Sequence, residues 1–150
     1  MKLKNRITLD YDDVLTMAKH LAYHLETRHV DLIVGIKRGG VVPALHLSHE
    51  LEKPMEVITW QTRDGDKQEH NQAIKQAVLE GKHVVFVDDI NDTGTSADQI
   101  IAAYGYDICE NPNITFATLI EKVTSTRRVD VCALRIDDPR WVIFPWEKQS

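Results

Sequence analysis

Hydrophobic positions along this chain follow two rhythms that alternate. After Asp10, a residue suited to capping, Val14, Leu15, Ala18, Leu21, Ala22 and Leu25 recur three and four apart, which predicts a helix with one apolar stripe. Asp31-Leu32-Ile33-Val34-Gly35-Ile36 is instead almost continuously apolar, the pattern of a strand buried on both faces. Lys37-Arg38-Gly39-Gly40 interrupts it, and a helical stretch follows from Val41 to Glu52. Met55 to Trp60 predicts a further strand. The segment from Gln61 to Gln72 is polar, contains glycine and is long for a connection in a compact domain, as a lid would be. An apolar strand from His83 to Val87 then runs into acidic residues. Ala97 to Tyr106 predicts helix, Ile114 to Glu121 and Val129 to Leu134 predict strands, and the tail Trp141-Val142-Ile143-Phe144-Pro145-Trp146 is apolar and aromatic. Strands alternating with helices, without an internal repeat, imply an α/β fold. The expected form is a single domain over residues 1–150, with an open, mostly parallel sheet flanked by helices and ligands at the carboxyl ends of its strands.

Composition narrows the classes. A chain of 150 residues is long enough to bury about two thirds of its unfolded surface. With 43% hydrophobic and 27% charged residues, no long apolar run and no signal-like start, it is expected to be cytoplasmic and without a membrane span. A net charge of −5 argues against binding a nucleic-acid polymer, which needs a basic face, so any anion site must be local. Cys109 and Cys132 lack metal-ligand spacing and are expected reduced, with Cys132 buried in its strand. His20 and His24, and His46 and His49, are spaced at about one helical turn, but neither pair has a further ligand nearby in sequence, so both are expected to be exposed helix histidines.

The richest chemistry lies in Val87-Asp88-Asp89-Ile90-Asn91-Asp92-Thr93-Gly94-Thr95-Ser96. An apolar strand delivers two carboxylates, then a third, then a turn of hydroxyls that opens a helix. Unpaired backbone N–H groups at such a turn hold a phosphate, Gly94 lets the chain approach it closely, and Thr93, Thr95 and Ser96 add donors. Asp88 and Asp89 suit ribose hydroxyls or a divalent metal. Helix capping explains one or two of these residues, not three carboxylates and three hydroxyls together. Upstream, Lys37 and Arg38 bring two cations, and Gly39 and Gly40 let N–H groups face a ligand, at the carboxyl end of another strand. Downstream, Lys122 closes a strand with an ammonium that can donate to a carbonyl oxygen, and Trp141 offers a face on which a flat base can stack, although each alone reads as an exposed lysine and a packing aromatic.

The Asp88 to Ser96 segment resembles the phosphoribosyl pyrophosphate (PRPP) motif of the type I phosphoribosyltransferases, departing at Thr95, where relatives commonly carry a second glycine. The Arg38-Gly39-Gly40 loop is similar to that family's pyrophosphate loop and stands at the same place in the order. Lys122, Trp141 and the Pro145-Trp146-Glu147 ending resemble the short xanthine-guanine (6-oxopurine) type, and the likeness covers most of the chain from Asp31 to Glu147. The resemblance implies a purine salvage enzyme with a small C-terminal base-binding hood. It implies transfer of the 5-phosphoribosyl group from PRPP to N9 of guanine, xanthine or hypoxanthine, release of pyrophosphate, a need for Mg²⁺, and a homodimer or homotetramer.

On that reading Asp88, Asp89, Thr93, Gly94, Thr95 and Ser96 bind PRPP, with Asp89 also at the metal. Lys37, Arg38, Gly39 and Gly40 bind pyrophosphate. Lys122, Trp141, Val142 and Ile143 form the purine pocket, and Asp92 exchanges a proton with the purine at N7. Gln61 to Gln72 would close over the sugar and exclude water, with Thr59-Trp60 a loose match to a hydroxyl-aromatic pair of the relatives. Two rivals come from other classes. A non-catalytic PRPP- or nucleotide-binding regulator of the same fold would be expected to lack the chemistry of Asp92 or Lys122, and both are present. A phosphoacceptor or phosphatase-like domain leaves the Thr93 to Ser96 turn and the Lys37 to Gly40 loop unexplained. A dinucleotide-binding fold is excluded by the lack of a G-x-G-x-x-G after the first strand.

Overall fold

A short strand, β1 (Arg6–Thr8), precedes helix α1 (Tyr11–Leu25) in the computed structural model, which describes residues 5–62 and 67–147. Asp10 fixes where α1 begins. Its carboxylate accepts from the Asp13 N–H at 2.8 Å while the Asp13 carboxylate accepts from the Asp10 N–H at 2.9 Å, a reciprocal box worth about 1 kcal/mol. The expected stripe buries Val14, Ala18, Leu21, Ala22 and Leu25. Then come β2 (Leu32–Lys37), α2 (Val41–Leu51), β3 (Met55–Gln61) and β4 (Lys67–Gln68), followed by α3 (Gln72–Leu79) and β5 (Val84–Asn91). Helix α4 (Thr95–Ile101) continues into a π-helical turn (Ala102–Tyr106). Strands β6 (Ile114–Lys122), β7 (Val131–Ile136) and β8 (Trp141–Ile143) complete the chain.

The main sheet has the order β4-β3-β2-β5-β6-β7 and is parallel except for β4, which pairs antiparallel with β3. Successive residues of β5 feed different cores. Val85 and Val87 join the core on the α1 and α2 side, while Val84 and Phe86 join that on the α3 and α4 side. Both faces are therefore covered, which is why this strand reads as an unbroken apolar run rather than an alternating one. From β2 the chain moves outward to β3, and from β5 it moves outward the other way to β6. The loops leaving β2 and β5 consequently face one another at the switch in strand order, the crevice where open α/β sheets take ligands.

Several details depart from the sequence expectations. The hood is built from both ends of the chain, because β1 pairs in parallel with β8 and sets Arg6 opposite Trp141 and Thr8 opposite Ile143. The final strand of the main sheet starts at Val131, not Val129, and Cys132 is only half-buried. Much of the stretch from Gln61 to Gln72 is structured. Lys67 and Gln68 form β4, Glu69 accepts from the Thr59 N–H at 3.1 Å, and Asn71 caps α3 through the Ile74 N–H, while residues 63–66 lie outside the described part, so closure of this loop as a lid is not addressed there. Among the described residues no helix is long and apolar enough to cross a membrane.

Candidate active site

Two adjoining cavities open at the switch point. The first, of about 380 Å³, is walled by the end of β5 and its turn (Asp88 to Gly94, and Ser96), by Lys122, and by Trp141 and Val142 of the hood. The second, of about 600 Å³, shares Asp89, Trp141 and Glu147 with the first and adds Arg38, Gly39 and Ile143. Segments distant in sequence thus meet within one crevice.

Asp88 and Asp89 form its floor. One oxygen of each is occupied locally: Asp88 Oδ1 accepts from the Asp89 N–H at 2.8 Å and Asp89 Oδ1 from the Ile90 N–H at 2.7 Å. Burial pushes both carboxyls above the ordinary carboxylate range, and for Asp88 the neighbouring Asp89 charge pushes further. Glu147, whose own carboxylate accepts from the Phe144 N–H at 2.9 Å, adds to the negative field at Asp89. Gly39 is what lets Asp89 sit here, since a Cβ on it would lie 1.9 Å from Asp89 Oδ2. The Lys37–Arg38 peptide leading into this loop is cis.

The turn after β5 is braced from behind. Gly94 adopts φ +94°, and a Cβ there would come within 2.8 Å of Arg127 Cβ, so glycine is required by both conformation and space. Thr93 O accepts from the Thr126 N–H at 3.2 Å and from its hydroxyl at 2.9 Å, and Arg127 pairs with Asp98 at 2.7 Å. The run Thr124 to Arg128, which resembles a plain solvated loop in sequence, is therefore the wall against which the turn rests. Asp92, Thr93, Gly94 and Ser96 line the first cavity. Thr95 is exposed and takes no part in that wall; its N–H and the Thr93 hydroxyl bond each other at 3.3 Å, and the two hydroxyls lie 3.1 Å apart.

Lys122 is 8% exposed, and its ammonium donates to Asp138 O and Arg140 O, each at 2.7 Å. An ammonium has three N–H donors, so these two bonds fix the loop that carries Trp141 and leave one donor on a side chain that lines the cavity. The same loop is stiffened by a forked Arg140–Asp138 pair, which holds the Asp138 carboxyl down at about 2. Trp141 is 56% exposed, and Val142 and Ile143, which follow it on β8, are buried.

The structure separates some residues the sequence grouped. Lys37 is exposed and lines neither cavity. Gly40 is a packing glycine: its N–H is used by Ile36 O at 2.8 Å, and a Cβ would strike Val87 O at 2.1 Å. Other residues were missed. Trp60, held by its indole N–H to Gln99 at 3.1 Å, lines the first cavity, and Arg6 and Trp146 line the second. Trp60 had a signal in its place beside Thr59 at the start of the polar loop and Trp146 in the Pro145-Trp146-Glu147 ending, whereas Arg6 had none. Among the described residues no group of three or more His, Cys, Asp or Glu side chains is placed to hold a metal, and the His20 and His24 rings simply meet at 3.1 Å on an exposed face.

A doubly covered parallel sheet with carboxylates and a glycine-containing hydroxyl turn at its switch point is the arrangement in which open α/β proteins take ligands. Residues 10–149 match the phosphoribosyl transferase domain family, and the chain belongs to that family. It is 28% identical over 149 residues to the xanthine-guanine phosphoribosyltransferase of Cereibacter sphaeroides, covering 93% of this chain and 85% of the relative. The purine phosphoribosyltransferase from Pyrococcus horikoshii superimposes with a TM-score of 0.79 and 30% identity over 97% of each chain. The xanthine-guanine-hypoxanthine phosphoribosyltransferase of Helicobacter pylori shares the fold, with a TM-score of 0.70 at 20% identity over 94% of this chain and 91% of that one.

Proposed function

We propose that this protein is a purine salvage phosphoribosyltransferase that moves the 5-phosphoribosyl group of PRPP to N9 of a 6-oxopurine and releases pyrophosphate. The observation that carries this reading is the convergence of the Asp88 to Ser96 turn, Lys122 and Trp141 on one cavity, next to a second that receives Arg38 and Gly39. Departure of pyrophosphate from the anomeric carbon leaves an oxocarbenium-like sugar. Catalysis therefore depends on holding the sugar, the leaving group and the incoming ring in line.

Each group has a matching wall. Thr93, Gly94 and Ser96 cradle the 5′-phosphate against the Arg127 brace, and Asp88 and Asp89 accept from the ribose hydroxyls. Arg38 and Gly39 take the pyrophosphate. Trp141 stacks on the purine beside Val142, with Ile143 in the adjoining cavity, while the remaining Lys122 N–H donates to the 6-oxo group, a contact that adenine, with an amino group there, cannot accept. Asp92 exchanges the proton at N7 as the N9 bond forms.

Mg²⁺ suits this donor set. Asp88 and Asp89 each keep one carboxylate oxygen outside their local backbone bonds, and such an ion is usually held by one or two carboxylates with substrate oxygens and water completing its shell. When bound through Asp89, it supplies charge neutralisation for the departing pyrophosphate.

The test is pyrophosphate release from PRPP and Mg²⁺ with guanine, xanthine, hypoxanthine or adenine. Turnover with at least one 6-oxopurine and little with adenine is expected. PRPP binding without turnover on any base would replace this reading with that of a regulator.

A further inference from the structure

The second cavity receives charge from a place the pyrophosphate loop does not reach. The sequence offers that loop two cations, but Lys37 lies outside the cavity wall and only Arg38 lines it. The same cavity is lined by two carboxylates, Asp89 and Glu147. Among the described residues, Arg38 alone would set one guanidinium beside two carboxylates where a multiply charged pyrophosphate enters, and Arg6 supplies a second cation. It is half-buried on β1, its strand is tied to the hood by pairing with β8, and it lines the same cavity as Arg38, Gly39 and Asp89.

We propose that Arg6 is a pyrophosphate-binding residue, gripping the leaving group from the hood side while Arg38 and Gly39 hold it from the sheet side. The inference rests on the phosphoribosyl-transfer reading and names a residue that this reading leaves unassigned. A guanidinium suits the task because its planar fork of N–H donors matches phosphate oxygens two at a time, whereas a lysine offers a single mobile charge. The strand pairing adds a second consequence: Arg6 stands directly opposite Trp141, so one short ribbon carries both a pyrophosphate contact and the base-stacking ring.

The experiment compares wild type, Arg6→Gln and Arg6→Lys by calorimetric binding of magnesium pyrophosphate, by product inhibition with pyrophosphate, and by KM for the purine base. Loss of a charge-assisted hydrogen bond should weaken pyrophosphate binding and raise its inhibition constant about 10- to 100-fold in Arg6→Gln, with partial recovery in Arg6→Lys. KM for the base should stay within about threefold, as expected for a contact to the leaving group alone. Unchanged pyrophosphate binding in a folded Arg6→Gln variant overturns the proposal, as does an equal loss for base and pyrophosphate in both variants, which marks damage to the hood. Binding needs no turnover. A wild type that binds magnesium pyrophosphate through Arg6 yet transfers nothing would therefore sink the proposed reaction and leave this site standing.

Discussion

At the end of β5, Asp88 and Asp89 sit side by side with no cation bound to either in an ion pair among the described residues, and burial drives both carboxyls upward. On β6, the neighbouring strand, Glu121 is fully buried and is driven the other way. Burial alone would raise it, but Val129 N–H at 2.6 Å, the Asn91 amide at 3.0 Å and the Arg135 guanidinium at 2.8 Å outweigh that and lower it. Asn91, Glu121 and Arg135 stand in register across β5, β6 and β7, so this carboxylate rivets three strands behind the turn that follows β5. The difference separates two uses of a buried charge. Glu121 is satisfied by donors from the protein itself and so serves as architecture, whereas Asp88 and Asp89 each accept one backbone N–H and line the cavity, as the proposed ligand role requires.

The sharpest way to break this comparison is Asp89→Asn. Turnover should fall by about 10²- to 10³-fold, while the melting temperature is unchanged or raised because a disfavoured charge has been removed. A loss of both in step would make Asp89 structural. Asp92→Asn should lower kcat by about 100-fold and shift KM for PRPP only slightly; equal changes in the two parameters would remove its proton-transfer role. Glu121→Gln should behave in the opposite sense to Asp89→Asn. An amide group turned toward the Asn91 and Val129 donors leaves donors facing donors, costing about 2–3 kcal/mol in denaturant unfolding at neutral pH.

The smallest effect is one of pH. Because the folded carboxyl of Glu121 lies below its ordinary value of 4.5, its contribution is complete above that pH and is lost as the pH falls through the lowered folded value. The stability gap between wild type and Glu121→Gln should therefore narrow on acidification below about pH 4.5. A gap that widened on acidification would contradict the assignment.

Much of the frame was legible because its signals are local. A run such as Val84 to Val87, with no polar residue to turn toward water, has to be covered on both faces, and the spacing from Val14 to Leu25 permits only a helix. The carboxylates at the end of β5 and the hydroxyls of the turn after it also announced themselves, since their chemistry is written in nearly consecutive letters. What stayed hidden depends on direction and on distant partners. Nothing in the letters says that Lys37 lies outside the cavity wall while Arg6, far upstream, is part of it, or that Gly40 is packed against β5 rather than open to a ligand. Glu121 reads as an ordinary polar strand end until its donors on β5 and β7 are in place. Helix α3 went unread because only Ile74, Ala77 and Val78 mark its buried side.

The pairing of β1 with β8 joins residues from almost the whole length of the chain. During synthesis β1 must wait for β8, which emerges long after β2 and β5 are free to assemble. A nascent polypeptide that has reached only β7 therefore carries the turn after β5 without Trp141 and Val142, which wall the cavity beside it.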